Sequence, residues 1–141
     1  MKTITITKNL MAFSIGLIVL TIAFRFSLSS MLQNRLFSSV WIIAAIYGIL
    51  IFIIGWIFGK KDKLYLPLYD IGFRFHLATY IICNLIAEVW YLIGLQSEYE
   101  NVRTIHLTAI FWGIGLLIHF IIYLFTRKNA IKGIKKSEIF E

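Results

Sequence analysis

Four apolar stretches, running roughly 10–24, 38–58, 71–95 and 105–125, take up most of this chain, and its charges fall almost entirely between them. A helix of about 20 residues crosses a hydrocarbon core of about 30 Å. Each stretch meets or approaches that length. The 141-residue chain then has too little left over for a soluble domain. The expectation is an all-α membrane protein with four transmembrane helices in an up-down bundle. The helices are predicted at about 9–28, 37–59, 70–95 and 104–126, followed by a basic tail at 127–141, in one integral membrane domain spanning 1–141.

Apolar residues make up 60% of the chain, against about 45–50% in an ordinary soluble protein. The formal net charge of +7 raises the question of nucleic acid, but the placement of the charges answers it. Lys and Arg flank the spans, where they orient a membrane protein and meet anionic headgroups. No basic stripe with interleaved aromatics lies on a soluble element, so no nucleic-acid binding is expected. The head carries Lys2 and Lys8. The middle connection and the start of the third helix carry Lys60, Lys61, Lys63 and Arg74. The tail carries Arg127, Lys128, Lys132, Lys135 and Lys136. The rest of the 14 basic residues, Arg25, Arg35 and Arg103, fall on the other side of the spans. This imbalance places both termini in the cytoplasm and the protein in the inner membrane.

The basic head and first apolar run also resemble a signal peptide, with small residues at Ser27–Ser29. Arg25 interrupts the approach to any cleavage site, so a retained first helix is expected. A lone cysteine, Cys83, excludes an internal disulfide and a paired-cysteine metal knuckle.

In the second stretch Ala44 and Gly48 form a small-xxx-small pair, and Gly55 follows one heptad later. All three fall near one face, where a neighbouring helix can approach closely. The only proline, Pro67, lies between two tyrosines in the next connection. Asp70 is placed to cap the third helix. Tryptophans and tyrosines at span ends (Trp41, Trp56, Tyr65, Tyr69, Trp90, Tyr91, Tyr123) read as an interfacial belt.

The third stretch carries His76, Tyr80, Asn84 and Glu88 at intervals of four, a slowly drifting stripe on one helix face. A short loop should lay the fourth helix antiparallel to the third. Glu88 is then expected level with Trp112 and Gly113, Asn84 opposite Gly115, and His76 within a turn or so of His119. His106 reads as interfacial. The stripe supports three readings: polar packing between helices, a proton or ion path with Glu88 as titrating group and the histidines as relays, or a haem site using His76 and His119. No nucleophile elbow, phosphate-binding glycine loop, zinc-protease motif or pair of carboxylates is present. No enzymatic activity, cofactor or metal site is expected.

The run Phe75-His76-Leu77 with Tyr80 and Asn84, then Phe111-Trp112-Gly113-Ile114-Gly115-Leu116 with His119, resembles the bacterial two-transmembrane-helix (2TM) domain family over about residues 71–126. The resemblance implies a helical hairpin that occurs alone or attached to signalling modules. It marks His76, Tyr80, Asn84, Trp112, Gly113, Gly115 and His119 as family positions without a stated role. Two extra spans and Glu88 depart from the family pattern. The leading expectation is an interaction protein, such as an accessory subunit, scaffold or sensor anchor. It would bind anionic lipid and either another membrane protein or itself. The alternatives are an oligomeric proton, ion or small-solute transporter using Glu88 and Asn84, and a haem-binding redox subunit.

Overall fold

The computed structural model describes residues 6–63 and 66–132, with side chains through residue 126. It contains four helices, α1 (Lys8–Gln33), α2 (Phe37–Asp62), α3 (Leu68–Leu92) and α4 (Val102–Lys132), with no strand among the described residues. All four are long and apolar enough to cross a membrane, α4 over Val102–Thr126.

Helix ends depart from the sequence expectation for local reasons. α1 begins directly after its cap, Thr7, whose hydroxyl accepts from the Leu10 N–H at 3.0 Å. It runs on through 29–33 instead of stopping near residue 28. The serines there do not break it, because Ser27 donates to its own helix at Ala23 O, 2.9 Å away. The turn into α2 closes on Arg35, held at φ 58°, a left-handed conformation uncommon outside glycine. α2 runs to Asp62 rather than to residue 59.

α3 is capped by Pro67, not Asp70. Proline suits this position because its fixed φ enters the helix readily and no N–H is left orphaned. Asp70 sits in the first turn and takes two bonds of 2.9 Å from Arg74, one turn on. The far end of α3 comes at Leu92, short of the predicted 95. Gly94 takes φ +75° there, and the Leu95 N–H returns to Trp90 O at 3.2 Å. α4 starts two residues early, where Asn101 accepts from the Arg103 N–H at 2.8 Å. It extends into the predicted tail as far as Lys132. The rest of the tail, with Lys135 and Lys136, and the head residue Lys2 and belt residue Tyr65, lie outside the described residues.

Neighbours in sequence run antiparallel. The start of α1 meets the end of α2, where Asp62 accepts from Thr7 Oγ1 at 2.6 Å and Asn9 Nδ2 at 2.7 Å. Asp62 is 2% exposed, and the positive end of the α1 dipole favours its charge there. α1 and α3 run parallel and in step: Phe13 packs on Phe75, Thr21 lies by Cys83 and Ser29 by Trp90. α2 crosses α3 antiparallel through Tyr47–Cys83 and Gly59–Ile71. α4 packs against α3 alone. The main buried cluster therefore lies among the first three helices, with Trp112 of α4 packed at its edge and Ile105 of α4 buried outside it. Phe13 and Leu17 are fully buried against Ile71, Phe75 and Cys83, with Tyr47, Ile51, Ile54 and Phe58 of α2 completing the wall.

The three small residues of α2 divide. A Cβ on Gly55 would lie 3.6 Å from Phe13 Cε2, so this glycine faces α1, whereas one on Gly48 would meet nothing within 4 Å. Ala44 is half-buried. Trp41 and Trp56 are exposed, as a belt requires. Trp90 departs from it: it is buried, and its indole N–H donates to Ser29 Oγ and to Leu95 O.

Candidate functional site

The α3 stripe faces α4 along its whole length. Trp112 Nε1 lies 3.1 Å from His76 Nε2. An indole can only donate, so that imidazole nitrogen accepts. A neutral His76 then carries its proton on Nδ1, which donates to His119 Nδ1 at 3.1 Å. His119 in turn holds its proton on Nε2, the atom that lies 3.6 Å from where a Cβ on Gly72 would be. One donor on α4 thus sets the tautomers of both rings. Trp112→Phe should release that constraint at a cost of about 1 kcal/mol. The nitrogen-15 spectrum of His76 should then show Nε2 partly protonated, and an unchanged spectrum would refute the assignment.

Tyr80 donates to Ala109 O at 3.2 Å, and its hydroxyl sits 3.2 Å from the Cβ position of Gly113. Asn84 donates one amide hydrogen to Tyr80 O at 2.7 Å. Glu88 reaches His106 Nε2 at 3.0 Å. The sequence expectation had Glu88 level with Trp112 and Gly113, and His106 merely interfacial. The actual register is displaced by about two turns of helix. The cause is the early end of α3 and early start of α4, which move the centre of the connection toward α3. Glu88 consequently sits one turn from the end of α3, with its side chain 37% exposed. Asn84 lies by Thr108 and Trp112 rather than Gly115. Gly115 has nothing within 4 Å of its Cβ position and is exposed. Among the described residues, no group of three or more His, Cys, Asp or Glu side chains is disposed to hold a metal ion.

A second constellation escaped the sequence reading. Arg25 of α1 pairs with Glu100 of the α3–α4 connection, with side chains only 9% and 7% exposed. Glu100 Oε1 also accepts from Ser29 Oγ at 2.6 Å and from the Ser97 N–H at 3.1 Å. Ser97 Oγ donates to Gln33 Oε1 at 3.0 Å. The connection is thereby fastened to α1, a helix it does not join in sequence. Arg25 Nε is buried without a partner. The available signal was Arg25 itself, a cation inside an apolar helix, which demands a counter-charge at its own depth.

Halfway along the molecule the first three helices share a hydrogen-bonded chain. Thr21 Oγ1 donates to Leu17 O at 2.7 Å, so Tyr47, also 2.7 Å from Thr21, must supply the hydrogen between them. Cys83 Sγ, 3.2 Å from the Tyr47 hydroxyl, then donates to it. Beside this chain lies a partly open cavity of about 260 Å³ between α1, α3 and α4. Phe24, Arg25, Tyr47, Asn84, Thr108 and Trp112 are among its walls. Phe24 and Tyr47 are stacked, with centroids 4.2 Å apart.

Comparison with known proteins leaves these residues to be read on their own chemistry: no protein-family model matches the chain, and neither does any curated protein or solved structure.

Proposed function

We propose that this chain is a multi-pass protein of the inner membrane of a bacterium, with both termini in the cytoplasm. It works by binding another membrane protein or a second copy of itself, and catalyses nothing on its own. Two glycines carry this reading. Each of Gly16, Gly55, Gly59, Gly72 and Gly113 has a neighbouring side chain within 4 Å of its Cβ position, so the chain's own packing uses their small size. Gly48 and Gly115 have none. Glycine weakens a helix by about 0.5–1 kcal/mol relative to alanine, and these two are spared for no contact inside the molecule. Small residues on the open flank of an apolar helix are where a second helix packs backbone to backbone. Gly48 offers such a flank on α2 next to Ala44, and Gly115 offers one on α4 in line with Thr104 and Thr108.

The excess of Lys and Arg on the side of the termini supports the orientation, and it gives the protein an affinity for anionic headgroups. The residues that carry the resemblance to the 2TM family lie together between α3 and α4. His76, Trp112 and His119 form one hydrogen-bonded group, and Tyr80 lies on Gly113.

A Cβ added at Gly48 or Gly115 has nothing within 4 Å among the described residues, so leucine at either position should leave the chain able to fold. Crosslinking in native membranes should then fall about tenfold, the equivalent of 1.4 kcal/mol, for at least one of them. Undiminished adducts in both would dispose of the reading.

A further inference from the structure

We propose that the hydrogen-bonded group of His76, Trp112 and His119 is an acid-sensitive joint, in which one added proton unseats α4 from α3 at the end away from their connection. The inference stands apart from the association proposed above. The group accommodates one set of hydrogens. Trp112 donates to His76 Nε2, and His76 donates from Nδ1 to His119 Nδ1. A further proton has two places to go. On His76 Nε2 it faces the indole N–H across 3.1 Å, donor against donor. On His119 Nδ1 it faces the His76 N–H, also across 3.1 Å, unless His76 releases that hydrogen and takes one on Nε2. That rearrangement restores the bond between the rings and again sets His76 against Trp112. Every arrangement with one more proton therefore breaks one of the two links between α3 and α4.

Among the described residues no counter-charge awaits an imidazolium here. On α3 the titratable neighbours are Tyr80 and Arg74, a cation paired with Asp70. On α4 the neighbour besides His119 is Tyr123, one turn further on. α1 carries no titratable side chain between Lys8 and Arg25, and α2 carries only Tyr47 between Phe37 and Lys60. Asp62 is engaged by Thr7 and Asn9, and Glu88 by His106. An unpartnered charge in an apolar interior seeks water or headgroups. The proton therefore binds the separated helices better than the joined ones, and acid favours separation. α4 packs on α3 alone, so no third helix holds it in place. Beyond the joint, Phe73 lies on Phe120 and Tyr123, and Tyr69 on Tyr123. In lipid such ring contacts have no hydrophobic drive behind them. Near the connection the sign reverses. Acid charges His106 beside the Glu88 carboxylate, 3.0 Å away, and tightens that end. α4 swings outward about the Glu88–His106 pair and does not detach.

The full-length protein, in nanodiscs and with Cys83→Ser, is spin-labelled at one of two exposed pairs. Leu68→Cys with Phe125→Cys reports the far end of the two helices, and Leu92→Cys with Arg103→Cys reports the connection end. Label distances are read by electron paramagnetic resonance from about pH 8 to about pH 5, the range in which histidine takes up its proton. At the far end the ratio of separated to joined helices should rise by up to about tenfold per pH unit, as one linked proton allows. The connection pair should not move. Over the same range the nitrogen-15 spectrum should show His76 Nε2 gaining a hydrogen. The double variant His76→Gln/His119→Gln keeps an acceptor for Trp112 and a donor between the two side chains, yet takes up no proton. Its far pair should stay joined throughout. Four outcomes overturn the proposal: rings that stay neutral down to about pH 5, a far pair that stays joined after the rings have protonated, both pairs separating alike, or an acid response that survives in the glutamine variant. Should that variant fail to fold, the first three still decide.

Discussion

Arg25→Leu should lower the stability of the protein in bicelles by about 3–5 kcal/mol, the largest loss expected from any single charge. The substitution leaves Glu100 with its charge among buried groups, its side chain 7% exposed and its only ionic partner among the described residues gone. Ser29 and the Ser97 N–H still donate to it, but two neutral donors do not replace a guanidinium. The double variant Arg25→Leu/Glu100→Leu should recover much of the loss, because an ion pair removed whole also removes its desolvation cost. Ser29 would then still accept from Trp90, which keeps one link between α1 and α3. Unfolding measured by steric trapping in bicelles distinguishes the cases. If the double variant is as unstable as the sum of the single ones, the pair does not act as a unit.

Gly113→Val should cost about 1–3 kcal/mol, as overpacking does, whereas Gly115→Val, two residues away, should stay within about 0.5 kcal/mol. The added Cβ at Gly113 comes within 3.2 Å of the Tyr80 hydroxyl, and the branched methyls would go further in. Tyr80 has little room to yield. Its ring stands edge-on to Trp112, with centroids 6.3 Å apart, and its hydroxyl is bonded to Ala109 O. Any movement that relieves the clash separates α3 from α4 and disturbs the Trp112–His76 bond. At Gly115 the same side chain projects into open space. The same steric-trapping measurement reads both variants, and equal losses would mean that Gly113 is not the closest point of the two helices.

These two residues also show what can be read from the chain and what cannot. Trp-Gly-Ile-Gly is one short apolar motif, and nothing in its composition says which glycine meets a tyrosine. That depends on register, and register depends on where α3 stops. The apolar run continues through Ile93 and Leu95, so hydropathy overruns the true end. The turn is made by Gly94 with its left-handed backbone. The stripe itself was legible, since a spacing of four survives any sliding of the partner helix. So was the meeting of His76 with His119, which are near enough in depth to tolerate a shift. The pairing of Glu88 with His106 was lost to the same shift. Arg25 and Glu100 lie far apart in sequence and on segments that are not consecutive. Their encounter follows from the parallel alignment of α1 with α3, which brings the end of α1 beside the connection after α3. No local pattern encodes that alignment.

The placing of the main buried cluster among α1, α2 and α3 has a consequence for how the chain is made. Phe13, Leu17, Ile71, Phe75 and Cys83 are all translated before the first residue of α4. The ribosome has therefore delivered every buried member of the main apolar cluster while the last quarter of the polypeptide is still to come. The final helix, synthesised last, has α3 alone to dock on, and the connection that leads into it is held to α1 by the pairing of Glu100 with Arg25.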